Sequence, residues 1–277
     1  MTSILIRVYL KLCSAIPGFR KITRKWMYQA MGRFIKQEQW TYMNYGYAHI
    51  NGEDRFADLE SVDEVQRLSY QLYNHLAAEI ELENKSILEV GSGRGGGASM
   101  IKKYHKPDQM VGLDYSSAAI KLCKKNHRID GLDFVEGDAE NLPFSSGSFD
   151  AVINVESSHC YDSMDKFLAG VNKVLKPGGH FLYTDFREPS EIPDLEKQIS
   201  GSGLTILRKR DITPNVIKAL DEDHDRRMKT ISENVPKPFI KQFREFAGVK
   251  NSVVYKQFES GEMIYFSFIM QKPPVVQ

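Results

Sequence analysis

Short apolar runs recur through the middle of the chain, most of them closing on an acid or an asparagine, with helix-like stretches between them. Ile87-Leu88-Glu89-Val90, Val111-Gly112-Leu113-Asp114, residues 132–139, residues 148–154 and Phe181-Leu182-Tyr183-Thr184-Asp185 have the length and composition of buried strands. A helix is predicted over 62–81, before the first of them. Another is predicted over 117–125, capped by Ser116, whose hydroxyl can accept one of the free backbone N–H groups. Strands alternating with helices argue for the α/β class with a parallel sheet. Beyond Asp185 the alternation weakens. A helix over 189–200, a strand over 204–210, a polar helix over 213–232 opened by Pro214 and an aromatic closing strand over 262–270 are predicted there. The charged run from Asp221 to Arg227 reads as solvated surface and not as a metal site.

One loop carries the first chemical signal. The strand at 87–90 runs straight into Gly91-x-Gly93-x-Gly95, the order of a strand, a glycine turn and a helix start. Glycines suit this place because the backbone turns sharply and must approach a ligand with no Cβ between. The helix N-terminus behind them presents free N–H groups to an anionic part of that ligand. NAD, FAD and S-adenosylmethionine (SAM) enzymes share such loops. Asp114, about twenty residues further on, can accept both hydroxyls of a ribose, which NAD and SAM both carry. The strand ending at Asp138-Ala139 then places an acid where the exocyclic amine of an adenine would lie. No Gly-x-x-x-x-Gly-Lys-Ser/Thr element is present, which argues against a P-loop phosphate site.

With the Phe149-Asp150 strand start and the turn Leu175-Lys176-Pro177-Gly178-Gly179, this series resembles the class I SAM-dependent methyltransferases in order and spacing. The resemblance implies a Rossmann-like, doubly wound, mostly parallel sheet with an antiparallel last strand. It also implies SAM as cofactor, held by Glu89, Gly91, Ser92, Gly93, Gly95, Asp114, Tyr115, Asp138, Ala139 and Asn154. Residues 119–128, 131–144 and 154–161 look most like the phthiotriol and phenolphthiotriol dimycocerosate methyltransferases, which O-methylate a secondary alcohol on a long-chain lipid. A greasy, small-molecule acceptor follows from that likeness. C- or N-methylation of a sterol, quinone or amine, and a SAM-binding module without turnover, are the alternatives.

An alcohol is a poor nucleophile while protonated, so a base near the acceptor is expected. His159 lies just past the fourth strand, at the carboxyl edge of the sheet where ligands bind, and Asp185 ends the neighbouring strand. Sugar O-methyltransferases that this segment resembles carry the same pair, with histidine as base and aspartate as its partner. Glu156, the third catalytic candidate, is either a pocket carboxylate or an anchor behind the residues that line the pocket. The thiol of Cys160 has no role in direct methyl transfer. Tyr45 and Tyr47 are candidates to close over the sulfonium, since an aromatic face stabilises a ligand cation; packing of the arm is the competing reading.

Length and charge add bounds. The chain of 277 residues is long enough for one well-buried α/β domain with accessory pieces, divided at 1–60 (N-terminal arm), 61–187 (cofactor-binding core) and 188–277 (acceptor-side cap and closing strands). A net charge of +1 gives no nucleic-acid footprint. Cys13, Cys123 and Cys160 make neither a disulfide framework nor a zinc site, which points to a reducing, cytoplasmic setting. No apolar run reaches the roughly 18 residues of a membrane span. The arm is basic and apolar, from Arg7 and Lys11 to Arg33, with no acid before Glu38. Such a segment can lie on an anionic membrane surface.

Overall fold

The computed structural model describes residues 41–50 and 59–275, so the basic arm and its expected membrane contact lie outside the described residues. Seven strands form one sheet: β1 (Ser86–Val90), β2 (Gln109–Asp114), β3 (Leu132–Glu136), β4 (Phe149–Val155), β5 (Leu175–Arg187), β6 (Thr205–Asp211) and β7 (Ile264–Gln271). Their order is β3-β2-β1-β4-β5-β7-β6. The first five run parallel and β7 enters antiparallel between β5 and β6. The chain doubles back from β1 to β4, so a ligand crevice opens beyond the carboxyl ends of these two strands.

The near-continuous apolar runs are explained by burial on both faces. Along β1, Ile87 packs in one core with Tyr70, Leu76, Ile101 and Phe134, while Leu88 and Val90 pack in the other with Phe167, Phe181 and Tyr183. The period of two does this, since successive side chains point to opposite faces. Helices α1 (Arg67–Ala77), α2 (Gly96–His105) and α3 (Ser117–Asn126) contribute to the first core; α4 (Met164–Val174) and α5 (Ile192–Gly201) contribute to the second. Ser116 caps α3 as expected, accepting from the Ala119 N–H at 3.3 Å.

Two helices differ from their predicted extents. The first begins as a 3-10 turn over Glu64–Gln66 and is α-helical only over Arg67–Ala77. Val62 and Val65 stay exposed, so nothing apolar draws that first turn onto the core. The predicted single helix over 213–232 is two, α6 (Thr213–Glu222) and α7 (His224–Asn234), broken at Asp223. Asp223 is buried and its carboxylate is held by the guanidinium groups of Arg226 and Arg227. The run from Asp221 to Arg227 is therefore not simply solvated surface. Two further helices, α8 (Ile240–Phe246) and α9 (Val253–Ser260), precede β7.

His75 on α1 stacks on Tyr47 at 4.6 Å between ring centroids and lies 3.0 Å from the Ser267 hydroxyl. Burial, reinforced by Arg210, pulls its pKa down to about 4. The folded protein then refuses a proton that an unfolded chain takes up at about 6.5. Stability is complete above about pH 6.5 and falls as the pH drops toward 4, by up to about 3 kcal/mol. Thermal unfolding of the protein and of His75→Gln across that range checks this. Equal acid sensitivity in both would clear His75 of the effect.

Candidate active site

The loop after β1 is built as a close-approach cradle. Gly91 (φ +79°) and Gly93 (φ +53°) occupy the left-handed region, and a Cβ on Gly91 would stand 2.2 Å from the Ser157 hydroxyl. Asp114, at the tip of β2, accepts from the Gly93 N–H and the Ser116 N–H, each at 2.8 Å and each on a different oxygen. Each oxygen keeps a lone pair for a ligand hydroxyl. Burial pushes the Asp114 carboxyl up, and the two N–H donors oppose it.

A cavity of about 490 Å³ lies over these strand ends, within the usual range for a small-molecule site. Of the residues expected to hold the cofactor, Gly91, Ser92, Gly93, Asp114, Tyr115, Asp138, Ala139 and Tyr45 line it. Glu89, Gly95, Asn154 and Tyr47 do not. Glu89 faces α1 and α2 beneath the loop, accepting from the Tyr73 hydroxyl at 2.7 Å and from the Ala98 N–H; burial raises it to about 7. It braces the cradle rather than entering it. Asn154 donates to the Val90 carbonyl at 2.8 Å and to the Ser157 hydroxyl at 2.7 Å, tying β4 to the β1 turn. Gly95 caps α2, with Phe134 and His127 where a Cβ would go. Tyr47 is turned away onto His75.

Past β4 the backbone bends sharply. Glu156 has φ +48°, a strained value for a residue with a Cβ. Its carboxylate, on the cavity wall, accepts from the Tyr45 N–H at 2.7 Å and from the Tyr265 hydroxyl at 2.5 Å. Burial raises it to about 7. Glu156 thus lines the pocket and ties down the strap formed by residues 41–45. A 3-10 turn over Ser158–Cys160 then sets His159 in the wall, with Nδ1 2.8 Å from Asp185 Oδ1.

Asp185 is fully buried and does not line the cavity. It accepts from the Ser158 hydroxyl at 2.6 Å and from the backbone N–H groups of His159 and Phe186, both at 2.9 Å; Arg187 lies 3.3 Å away. Burial alone would raise this carboxyl, but His159 and Arg187 hold it well below the usual carboxylate range. For His159 the burial penalty works against the charged ring, yet the Asp185 carboxylate outweighs it and lifts the imidazole to about 10. Phe186 lies beside that ring at 4.6 Å between centroids, and Tyr45 adjoins Phe186. The base candidate therefore sits in an aromatic corner.

Sequence reasoning missed the partners that build this corner: Ser158, Arg187, Tyr265, and Met43 and Phe246 in the cavity wall. Only Ser158, adjacent to His159, had a local signal. The cavity suits a nucleoside-bearing cofactor on its own features. Two left-handed glycines open its floor, and the buried Ser92 hydroxyl and Tyr42 phenol in its wall have no hydrogen-bond partner among the described residues.

A family model described as a methyltransferase domain matches residues 88–183. Over 254 residues the chain is 38% identical to the phthiotriol/phenolphthiotriol dimycocerosates methyltransferase of Mycobacterium tuberculosis, covering 92% of this chain and 93% of that one. The chain belongs to the class I SAM-dependent methyltransferases. This methyltransferase is also 42% identical over 202 residues to the fatty-acid O-methyltransferase of Mycolicibacterium smegmatis, covering 73% of each chain. Among solved structures it matches the geranyl diphosphate C-methyltransferase of Streptomyces coelicolor A3(2), solved with S-adenosyl-L-homocysteine, at a TM-score of 0.62 and 14% identity over 88% of this chain and 97% of that one. At that identity the likeness bears on the fold. The methyltransferase has SAM as its cofactor, and no helix among its described residues is long and apolar enough to cross a membrane.

Proposed function

We propose that this methyltransferase O-methylates a hydroxyl of a lipid or polyketide-like acceptor. The observation that carries the reading is the His159–Asp185 pair, with the ring on the cavity wall and the carboxylate sealed behind it. The names of the mycobacterial relatives support a lipid acceptor. SAM, when bound, supplies an electrophilic methyl group.

The chain's residues do the rest. The two Asp114 oxygens would take the ribose hydroxyls, Asp138 and Ala139 the adenine edge, and Ser92 would offer its buried hydroxyl. Nδ1 of His159 is held by Asp185 and the ring also hydrogen-bonds the Cys160 side chain; we assign proton exchange with an acceptor to Nε2. The ring takes the hydroxyl proton as the oxygen begins to bond, and Asp185 stabilises the imidazolium that results. Tyr45, Phe186 and Phe246 exclude water and leave an apolar wall against the acceptor. The basic arm outside the described residues would meet an anionic membrane from which such an acceptor is drawn.

A carboxylate acceptor is the second reading, favoured by the raised His159 pKa. An imidazolium would then hold the anion and take no proton. Incubation with labelled SAM and fractionated lipid extracts, followed by mass analysis, separates these. The expected product is an alkali-stable methyl ether. An alkali-labile methyl ester would move the assignment to the carboxylate, and a methyl on carbon or nitrogen would replace O-methylation altogether. Absence of product from every fraction would leave a SAM-binding module.

A further inference from the structure

Arg227 stands on α7 inside the charged run, yet only 9% of it is exposed. Nε donates to Asp223 at 2.8 Å, Nη1 to the Ala247 carbonyl at 3.0 Å, and Nη2 to the carbonyls of Asn44 and Tyr45, each at 3.1 Å. Tyr45 is thus gripped at both ends. Its N–H goes to Glu156 at the carboxyl edge of the sheet, and its C=O goes to Arg227 in the cap. Its ring closes against Gly248, where a Cβ would stand 2.9 Å away. Residues 41–45, the strap so held, all line the cofactor cavity, whereas Arg227 does not.

Burying a guanidinium is costly, and burial pulls its pKa down against the opposing pull of Asp223. Packing of the cap alone could be met by an apolar side chain of similar volume. What that side chain lacks is a planar fork whose donors satisfy a carboxylate and three carbonyls together. Lysine, with a compact ammonium, cannot span them all.

We propose that Arg227 is a positioning residue that fixes the 41–45 strap over the cavity and so sets SAM affinity without touching SAM. The proposal rests on SAM binding alone, so it stands or falls independently of the acceptor. It is tested by calorimetric SAM titration of Arg227→Met, Arg227→Lys and Arg226→Met, with hydrogen exchange of the strap amides in the ligand-free protein. Arg226 also pairs with Asp223 but makes no contact with the strap carbonyls in this structure, so it serves as the control.

In Arg227→Met the SAM Kd is expected to rise about tenfold or more, the loss of two buried hydrogen bonds. Exchange should quicken at Tyr45 and its neighbours while the amides of β1, β4 and β5 keep their protection. Arg227→Lys should fall between, Arg226→Met should bind as the native protein does, and methylguanidinium added to Arg227→Ala should recover part of the affinity. Unchanged Kd and strap exchange in a folded Arg227→Met would overturn the proposal. So would a loss of protection spread evenly over the sheet, or an Arg226→Met variant that weakens binding equally. If the methionine variant does not fold, the lysine variant decides by the same two readings.

Discussion

His159→Ala is expected to lower kcat about 10²–10⁴-fold, the usual contribution of a positioned general base, while SAM affinity barely moves. Its pH dependence is the sharper test. Only the neutral ring accepts a proton, and Asp185 lifts the imidazole to about 10. The rate of the native enzyme should therefore climb with pH from neutrality toward about 10 and level off above it. Asp185→Asn removes the charge that raises the ring, so the same climb should appear at lower pH. That variant should cost less than the histidine change and be non-additive with it, as for residues that act as one unit. With a carboxylate acceptor the sign inverts, because the imidazolium is then the working form and the rate falls as pH rises through the same value. Single-turnover rates across pH for the native enzyme, His159→Ala, Asp185→Asn and the double variant check this. Near-normal turnover in His159→Ala would reduce His159 to a wall residue.

The second large effect concerns the cofactor. Asp114→Ala should weaken SAM binding about 10²–10⁴-fold, as expected when two hydrogen bonds to a charged group are lost. It also removes the carboxylate that holds the Gly93 and Ser116 N–H groups, so the cradle loosens with it. Gly93→Val should be at least as damaging. A β-branched residue is forced to φ +53°, and its Cβ would stand 2.8 Å from the Met43 Cε in the strap. Calorimetric titration with SAM reads both variants. An Asp114→Ala protein that binds SAM as the native one does would end the ribose assignment, and native preference for NAD would contradict the cofactor itself.

The strands, the glycine turn and the acids near the strand ends were readable from the chain alone, because each rests on local physics. Apolar runs must be buried, a tight turn with positive φ needs glycine, and carboxyl ends of parallel strands form the ligand edge of such a sheet. The His159–Asp185 pairing was legible for the same reason, since β4 and β5 are neighbours, with His159 in the turn just past β4 and Asp185 near the carboxyl end of β5. What sequence does not determine is which way an acid at a strand end turns. Glu89 stands one residue inside the end of β1 and Asp114 ends the neighbouring β2, yet Glu89 goes under the loop to Tyr73 while Asp114 opens onto the cavity. Facing partners distant in the chain make that choice. Tyr47 reads like Tyr45 in sequence, yet it stacks on His75 while Tyr45 lies against Phe186. Most of all, the charged run at 221–227 has no hydrophobic pattern to mark it as interior. Asp223 and Arg227 are inside because carbonyls from the strap and from Ala247, far away in sequence, satisfy a guanidinium that could not otherwise leave water.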